Sequence, residues 1–154
     1  MSGVREGGCR CGELRFRADG EPLVTAACHC TGCQRMTGSA FSLTSIYPEA
    51  AFAVIAGEPV IGGARGADTH HYFCPRCMSW VFTRPQGMGE IVNVRSTMFD
   101  AVPPEPPFLE TYTSEKLPWA ETGAAHSFEV YPPPERFPEL LGEYAATRSG
   151  GDRP

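Results

Sequence analysis

Seven cysteines in three tight groups constrain this chain more than any other feature: Cys9-Arg10-Cys11, Cys28-His29-Cys30-Thr31-Gly32-Cys33 and Cys74-Pro75-Arg76-Cys77. Three thiols within six residues put more sulfur in one place than a core needs, and their spacing lets all three point at one centre. A soft thiolate cluster of this kind selects zinc, less often Cu(I) or an iron–sulfur cluster. Close pairs and an odd total do not suit a disulfide framework, whereas reduced thiols bound to metal do. A closed structural zinc takes four protein ligands, while a working zinc keeps three and leaves a tetrahedral position for water or substrate. The simplest partition of the thiols therefore gives a closed site from Cys9, Cys11, Cys74 and Cys77 and an open one from Cys28, Cys30 and Cys33. A rival partition lends one outer cysteine to the central triplet, which leaves three ligands scattered at both ends of the chain.

Zinc on three thiolates carries a net −1 and is a weaker Lewis acid than zinc on three imidazoles. A soft anionic sulfur is then a natural fourth partner, and coordination lowers the pKa of that thiol. The metal thus points to chemistry at sulfur, the making or breaking of a C–S bond. Arg35 lies two residues past Cys33, where its planar fork could meet a substrate carboxylate; the plain alternative is a surface arginine in a turn.

The length of 154 residues fits one domain, read as residues 1–146 with a flexible tail over 147–154. A net charge of −5, with 13 Lys and Arg scattered singly, argues against nucleic acid and against a polybasic membrane contact. No stretch approaches the ~18 apolar residues of a spanning helix and no apolar leader opens the chain, so it reads as soluble and cytoplasmic.

Short runs of branched and aromatic residues punctuated by Gly and Pro predict a mainly β fold. Leu14, Phe16 and Ala18 alternate with polar neighbours and should face a core, in a hairpin whose tip is Arg10-Cys11-Gly12. Further strands are expected at 23–28, 39–47, 50–56, 58–62, 69–73, 79–83, 90–94, 108–112 and 127–131. Residues 30–38 have turn chemistry or a single helical turn. The proline-rich 102–107 should cross the surface in extended form. Phe137, Leu140, Leu141 and Tyr144 recur at helical spacing and predict a helix over 135–146. Gly12 suits a positive φ beside its cysteine pair, whereas Met78, after Cys77, implies either a different backbone or strain. Trp80, Phe82 and Trp119 read as core. His29, between two ligands, should face solvent or hydrogen-bond, and at most one of His70 and His71 can look toward the metal-bearing side. His126 has no assigned role.

The flanked groups Gly7-Gly8-Cys9-Arg10-Cys11-Gly12, Cys28-His29-Cys30-Thr31-Gly32-Cys33-Gln34-Arg35-Met36-Thr37-Gly38 and Phe73-Cys74-Pro75-Arg76-Cys77, with Val92-Asn93-Val94 and Pro118-Trp119, resemble the glutathione-dependent formaldehyde-activating enzyme family over residues 5 to 133. The resemblance implies a β-tent of small antiparallel sheets around zinc, with the C-terminal helix outside the shared region. It implies two zinc ions per chain, a structural one on Cys9, Cys11, Cys74 and Cys77 and a catalytic one on Cys28, Cys30 and Cys33. The implied activity is that of a carbon–sulfur lyase joining glutathione, or a similar thiol, with formaldehyde or another small aldehyde in an S-hydroxymethyl adduct. Met78 stands where the family usually has glycine. Relatives include centromere protein V, so a non-enzymatic zinc-stabilised interaction module is the alternative; the acidic composition argues against its chromosome-binding form. A methionine sulfoxide reductase would need a later nucleophilic cysteine, and none follows Cys77.

Overall fold

The structure is a computed structural model that describes residues 3–64 and 68–149. The fold is mainly β. Strands β1 (Val4–Gly8) and β2 (Arg15–Asp19) form the expected hairpin, and β5 (Phe52–Ala56) joins β2 to complete a three-stranded antiparallel sheet. The rest of the strands make a sheet of eight rather than another small one. They are β3 (Val24–Cys28), β4 (Ser42–Pro48), β6 (Val60–Gly62), β7 (Thr69–Phe73), β8 (Trp80–Pro85), β9 (Ile91–Arg95), β10 (Leu109–Thr111) and β11 (His126–Ser127). Their order is β11-β10-β3-β4-β9-β8-β7-β6. Pairing is antiparallel except around β10, which runs parallel to both β3 and β11. Among the described residues there are two α-helices, α1 (Thr31–Thr37) and α2 (Phe137–Ser149).

Alternation in the strands sorts side chains between two cores. On one face of the large sheet, Tyr47, Phe82, Val92 and Val94 meet Leu14, Phe16 and Phe52 of the small-sheet segment, all buried. The predicted inward set Leu14, Phe16 and Ala18 is at most 1 % exposed. On the other face, Val24 and Leu109 receive Leu140 and Tyr144 of α2, with Ile46 and Leu141 packed around them. Helical spacing thus placed the buried stripe of α2 correctly.

Several expectations need correcting. Residues 30–38 fold as two helical turns, closed by Gly38 in the left-handed region. Helix α2 continues past the expected end at 146 through Thr147–Ser149, because Arg148 is held by Glu21 and Glu105 at 3.4 Å each. The remaining tail residues, 150–154, lie outside the described ones. The strand expected over 127–131 shrinks to the β11 pair, although Tyr112 N–H still donates to Val130 O and Thr113 N–H to Phe128 O. Trp119 is 73 % exposed rather than core. Its neighbours, Pro118 and Ala120, belong to an irregular surface run in which only Ala120 is buried, so no apolar layer reaches the indole. Trp80 and Phe82 are buried as expected.

Candidate metal centres and adjoining cavity

Strand pairing brings the outer cysteines together. Cys9 and Cys11 occupy the turn between β1 and β2, and Cys74 and Cys77 the turn between β7 and β8. Their four sulfurs lie within 4.8 Å of one another, with Cys9 to Cys11 at 3.5 Å and Cys11 to Cys74 at 3.7 Å. Sulfurs at the corners of a tetrahedron around zinc, each at ~2.3 Å from the ion, stand ~3.8 Å apart. The donor set therefore fits that ion.

The surrounding backbone is built for sulfur. Leu14 N–H donates to Cys9 Sγ at 3.3 Å, and Arg10 N–H reaches the Ser79 hydroxyl at 3.2 Å, bracing one turn against the other. The Ser79 hydroxyl also lies 3.2 Å from Cys77 Sγ, and this hydrogen bond pulls the Cys77 thiol down to about 5. Gly12 and Met78 occupy equivalent places in the two turns, at φ 80° and 58°. The second turn thus keeps the glycine-type backbone with a methionine in it, its side chain 60 % exposed.

The central trio is assembled differently. Cys28 ends β3, Cys30 is the N-cap of α1 with its sulfur accepting from Cys33 N–H at 3.3 Å, and Cys33 sits one helical turn on. All three are half-buried and unbridged, and their sulfurs also lie within 4.8 Å of one another. Among the described residues no further Cys, His, Asp or Glu joins this group. The Cys28 thiol is pulled down to about 5, chiefly by its hydrogen bond with Cys33. The Cys33 thiol, holding the proton of that bond beside the Cys28 charge, is pushed up, and burial pushes up Cys30.

Two polar anchors hold the trio's loop. Gln34 Nε2 donates to His29 O at 2.7 Å and to Glu115 O at 3.0 Å, while Thr31 N–H and hydroxyl both donate to Glu115 Oε1. Deeper in, His29 is fully buried and its Nε2 lies 2.7 Å from Glu110 Oε2. Glu110 also accepts from Ser127 at 2.7 Å and Thr122 at 2.8 Å. Burial alone would raise the Glu110 carboxyl; the hydrogen bonds from Ser127, His29 and Thr122 outweigh it and leave the pKa below its ordinary value. Of the roles considered for His29, hydrogen bonding is therefore the one observed.

Beside the sulfurs lies a cavity of about 210 Å³ on the α2 side of the large sheet. Its floor is made of alternate residues of consecutive strands, among them Ala26 and Cys28, Ser42 and Thr44, and Asn93 and Arg95. Tyr131, Pro132 and Phe137 wall it. His71 also lines it and meets Thr83 Oγ1 through Nδ1 at 2.9 Å, whereas His70 does not line it. Arg35 is exposed on α1 and does not line this cavity. His126 pairs with Glu143 at 2.8 Å, remote in role from the sulfurs. Glu110 and Arg95 are the residues that sequence reasoning missed. For Glu110 the available signal was a charged side chain inside a run read as strand, whereas Arg95 lies one residue past the strand expected over 90–94.

The family model for glutathione-dependent formaldehyde-activating enzymes matches residues 4–115, a span that holds all seven cysteines and ends before α2. A curated protein of Halomonas elongata, provisionally named as a glutathione-dependent formaldehyde-activating enzyme, is 27 % identical over 125 residues, covering 75 % of this chain and 79 % of its own. A crystal structure of a Rhodobacter sphaeroides protein superposes with a TM-score of 0.54 at 19 % identity, covering 64 % of this chain and 91 % of that one. At that identity the likeness is one of fold.

Proposed function

This chain belongs to the glutathione-dependent formaldehyde-activating enzyme family, and from that premise we propose a zinc-dependent enzyme of the carbon–sulfur lyase type. It joins a thiol, glutathione or a similar one, to formaldehyde or another small aldehyde. The observation that carries this reading is the inequality of the two sulfur groups: four close on themselves, and three, of which Cys28 and Cys33 line a cavity, have no fourth protein donor among the described residues. In this reading Cys9, Cys11, Cys74 and Cys77 hold a structural zinc, and Cys28, Cys30 and Cys33 hold a catalytic one.

Zinc bound by Cys28, Cys30 and Cys33 would hold an incoming thiol as its thiolate near neutral pH. The chain's own part is positional. The helix cap at Cys30 and the pins from Gln34 and Thr31 fix the sulfur directions, so little reorganisation is left for the moment of binding. The apolar walls beside Cys28 limit water around the reacting groups. The thiolate sulfur forms a bond to the carbonyl carbon as the C=O π bond opens onto oxygen, which takes a proton from solvent. The product is an S-hydroxymethyl adduct, no electrons change hands, and the lyase direction is the reverse. Unbridged thiols suit a reducing compartment, and we place the protein in the cytoplasm.

Metal analysis with thiol titration of the Co(II)-substituted protein tests the reading. Two ions per chain and a shift of the sulfur-to-metal absorption on adding glutathione are expected. An unchanged spectrum across a range of thiols would refute it and favour a zinc-stabilised interaction module.

A further inference from the structure

Arg95 ends β9 in the cavity that Cys28 and Cys33 share, and the roles assigned so far leave it unexplained. It is 7 % exposed, its guanidinium lies 4.1 Å from the centroid of the Trp80 ring, and its Nε is buried without a hydrogen-bond partner. A terminal nitrogen donates one long hydrogen bond, to Asn93 O at 3.4 Å. Arg15 and Arg84 are less buried, yet each holds a carboxylate, Asp100 and Glu49 respectively. Among the described residues Arg95 has no such acid, and the cavity that it lines holds Cys28 and Cys33.

A buried guanidinium without an acid is costly, and the cost is offset only if an anion meets it in the working state. The trio's charge offsets part of it. Sulfur is a weak acceptor, however, and does not match a flat fork of N–H donors as a carboxylate does. Stacking on Trp80 covers one face of the guanidinium and leaves its edge for such an in-plane partner. Register pairs Cys28 with Ser42 and Arg95 with Thr44, so these two hydroxyl side chains separate the sulfur end from Arg95, while Val24, Ile46 and Leu109 line the rest of the cavity. Its volume, about 210 Å³, falls below the roughly 300–1,000 Å³ of sites for drug-sized ligands.

Resting on the thiol-binding reading above, we infer that Arg95 is a substrate-binding residue that takes the carboxylate of a compact mercapto acid. The sulfur of that substrate sits at the Cys28, Cys30 and Cys33 end, and its short carbon chain passes over Ser42 and Thr44.

The test is isothermal titration of the zinc-loaded protein with 3-mercaptopropionate and with 3-mercaptopropionamide, which match in size and differ in charge. Wild type, Arg95→Gln and Arg95→Lys are compared. One charge-assisted hydrogen-bond pair corresponds to a preference for the acid of about tenfold or more in wild type. That ratio is expected to fall to near one in Arg95→Gln and to be partly kept in Arg95→Lys, while the amide binds all three alike. Equal binding of acid and amide by wild type would overturn the inference, as would a loss in Arg95→Gln that is equal for both ligands, which assigns Arg95 only to balancing sulfur charge. Thiols that bind without the charge preference leave the proposed function standing. If neither thiol binds the wild type, that reading fails and takes this one with it. Should Arg95→Gln not fold, the wild-type ratio and the lysine variant still decide.

Discussion

Replacing Glu110 with alanine or with glutamine separates the anchoring of the cysteine loop from the cysteines themselves. In the alanine variant His29 Nε2–H loses its acceptor in a fully buried place, at a cost of about 2–3 kcal/mol. Ser127 is exposed and Thr122 half-buried, so their hydroxyls can turn to water and lose only about 0.5–1 kcal/mol each. The sum is roughly 3–5 kcal/mol, and at about 2–4 °C per kcal/mol for a chain of this size it lowers Tm by roughly 6–20 °C. Glutamine behaves differently. Its amide oxygen, in the place of Oε2, still accepts from His29 and Thr122, and its NH₂ faces a Ser127 hydroxyl that can rotate to accept. Glu110→Gln should therefore cost only about 1 kcal/mol. Because His29 lies between Cys28 and Cys30, the alanine variant should also weaken metal binding at the trio, by about 10–100-fold if it acts as outer partners of ligating groups do. Thermal melts by circular dichroism and competition with a chromophoric chelator read the two effects. Equal melts for the alanine variant and wild type, or an alanine variant no worse than the glutamine one, would refute the reasoning.

Acid should expose the same group. Its folded pKa is lowered from an ordinary 4.5, so its contribution is fully present above that value and is lost as pH falls through the folded one. The stability gap between wild type and Glu110→Gln should accordingly close on acidification, in urea melts run from neutral pH downward; a gap that widens in acid would contradict this. Cys74→Ser should abolish cooperative unfolding, since structural zinc supplies about 10–16 kcal/mol in small domains. Cys28→Ser, in contrast, should melt cooperatively and lose the thiol-dependent Co(II) band, and the opposite ranking would reverse the two site assignments. Met78→Gly should relieve about 1 kcal/mol of left-handed backbone strain and raise Tm by roughly 2–4 °C, provided the exposed side chain contributes nothing that offsets it.

The sulfur groups were legible because they are local: a pair two or three residues apart declares itself, and two such pairs on hairpin turns need only strand pairing to meet. Leu14, Phe16 and Ala18 were legible because β2 is buried on one face. Glu110 was not, since β10 lies between β3 and β11 and buries Leu109, Glu110 and Thr111 in succession, which erases the alternation that sequence reading relies on. Arg95 was hidden for a related reason. Val92 and Val94 announce one face of β9, while the opposite face, carrying Asn93 and Arg95, is covered by a wall that includes Phe137 from the far end of the chain. Trp119 misled because size and apolarity are poor guides in a stretch without periodicity.

The closed sulfur group draws on hairpins that leave the ribosome at different times. Cys11 precedes Cys74 by 63 residues, a delay of roughly 3–13 s at ordinary rates of synthesis. Through that interval the first two thiols stand in the open, able to be oxidised or to capture a stray ion. A cell starved of zinc, or under peroxide stress, would therefore be able to damage this protein while it is still being made.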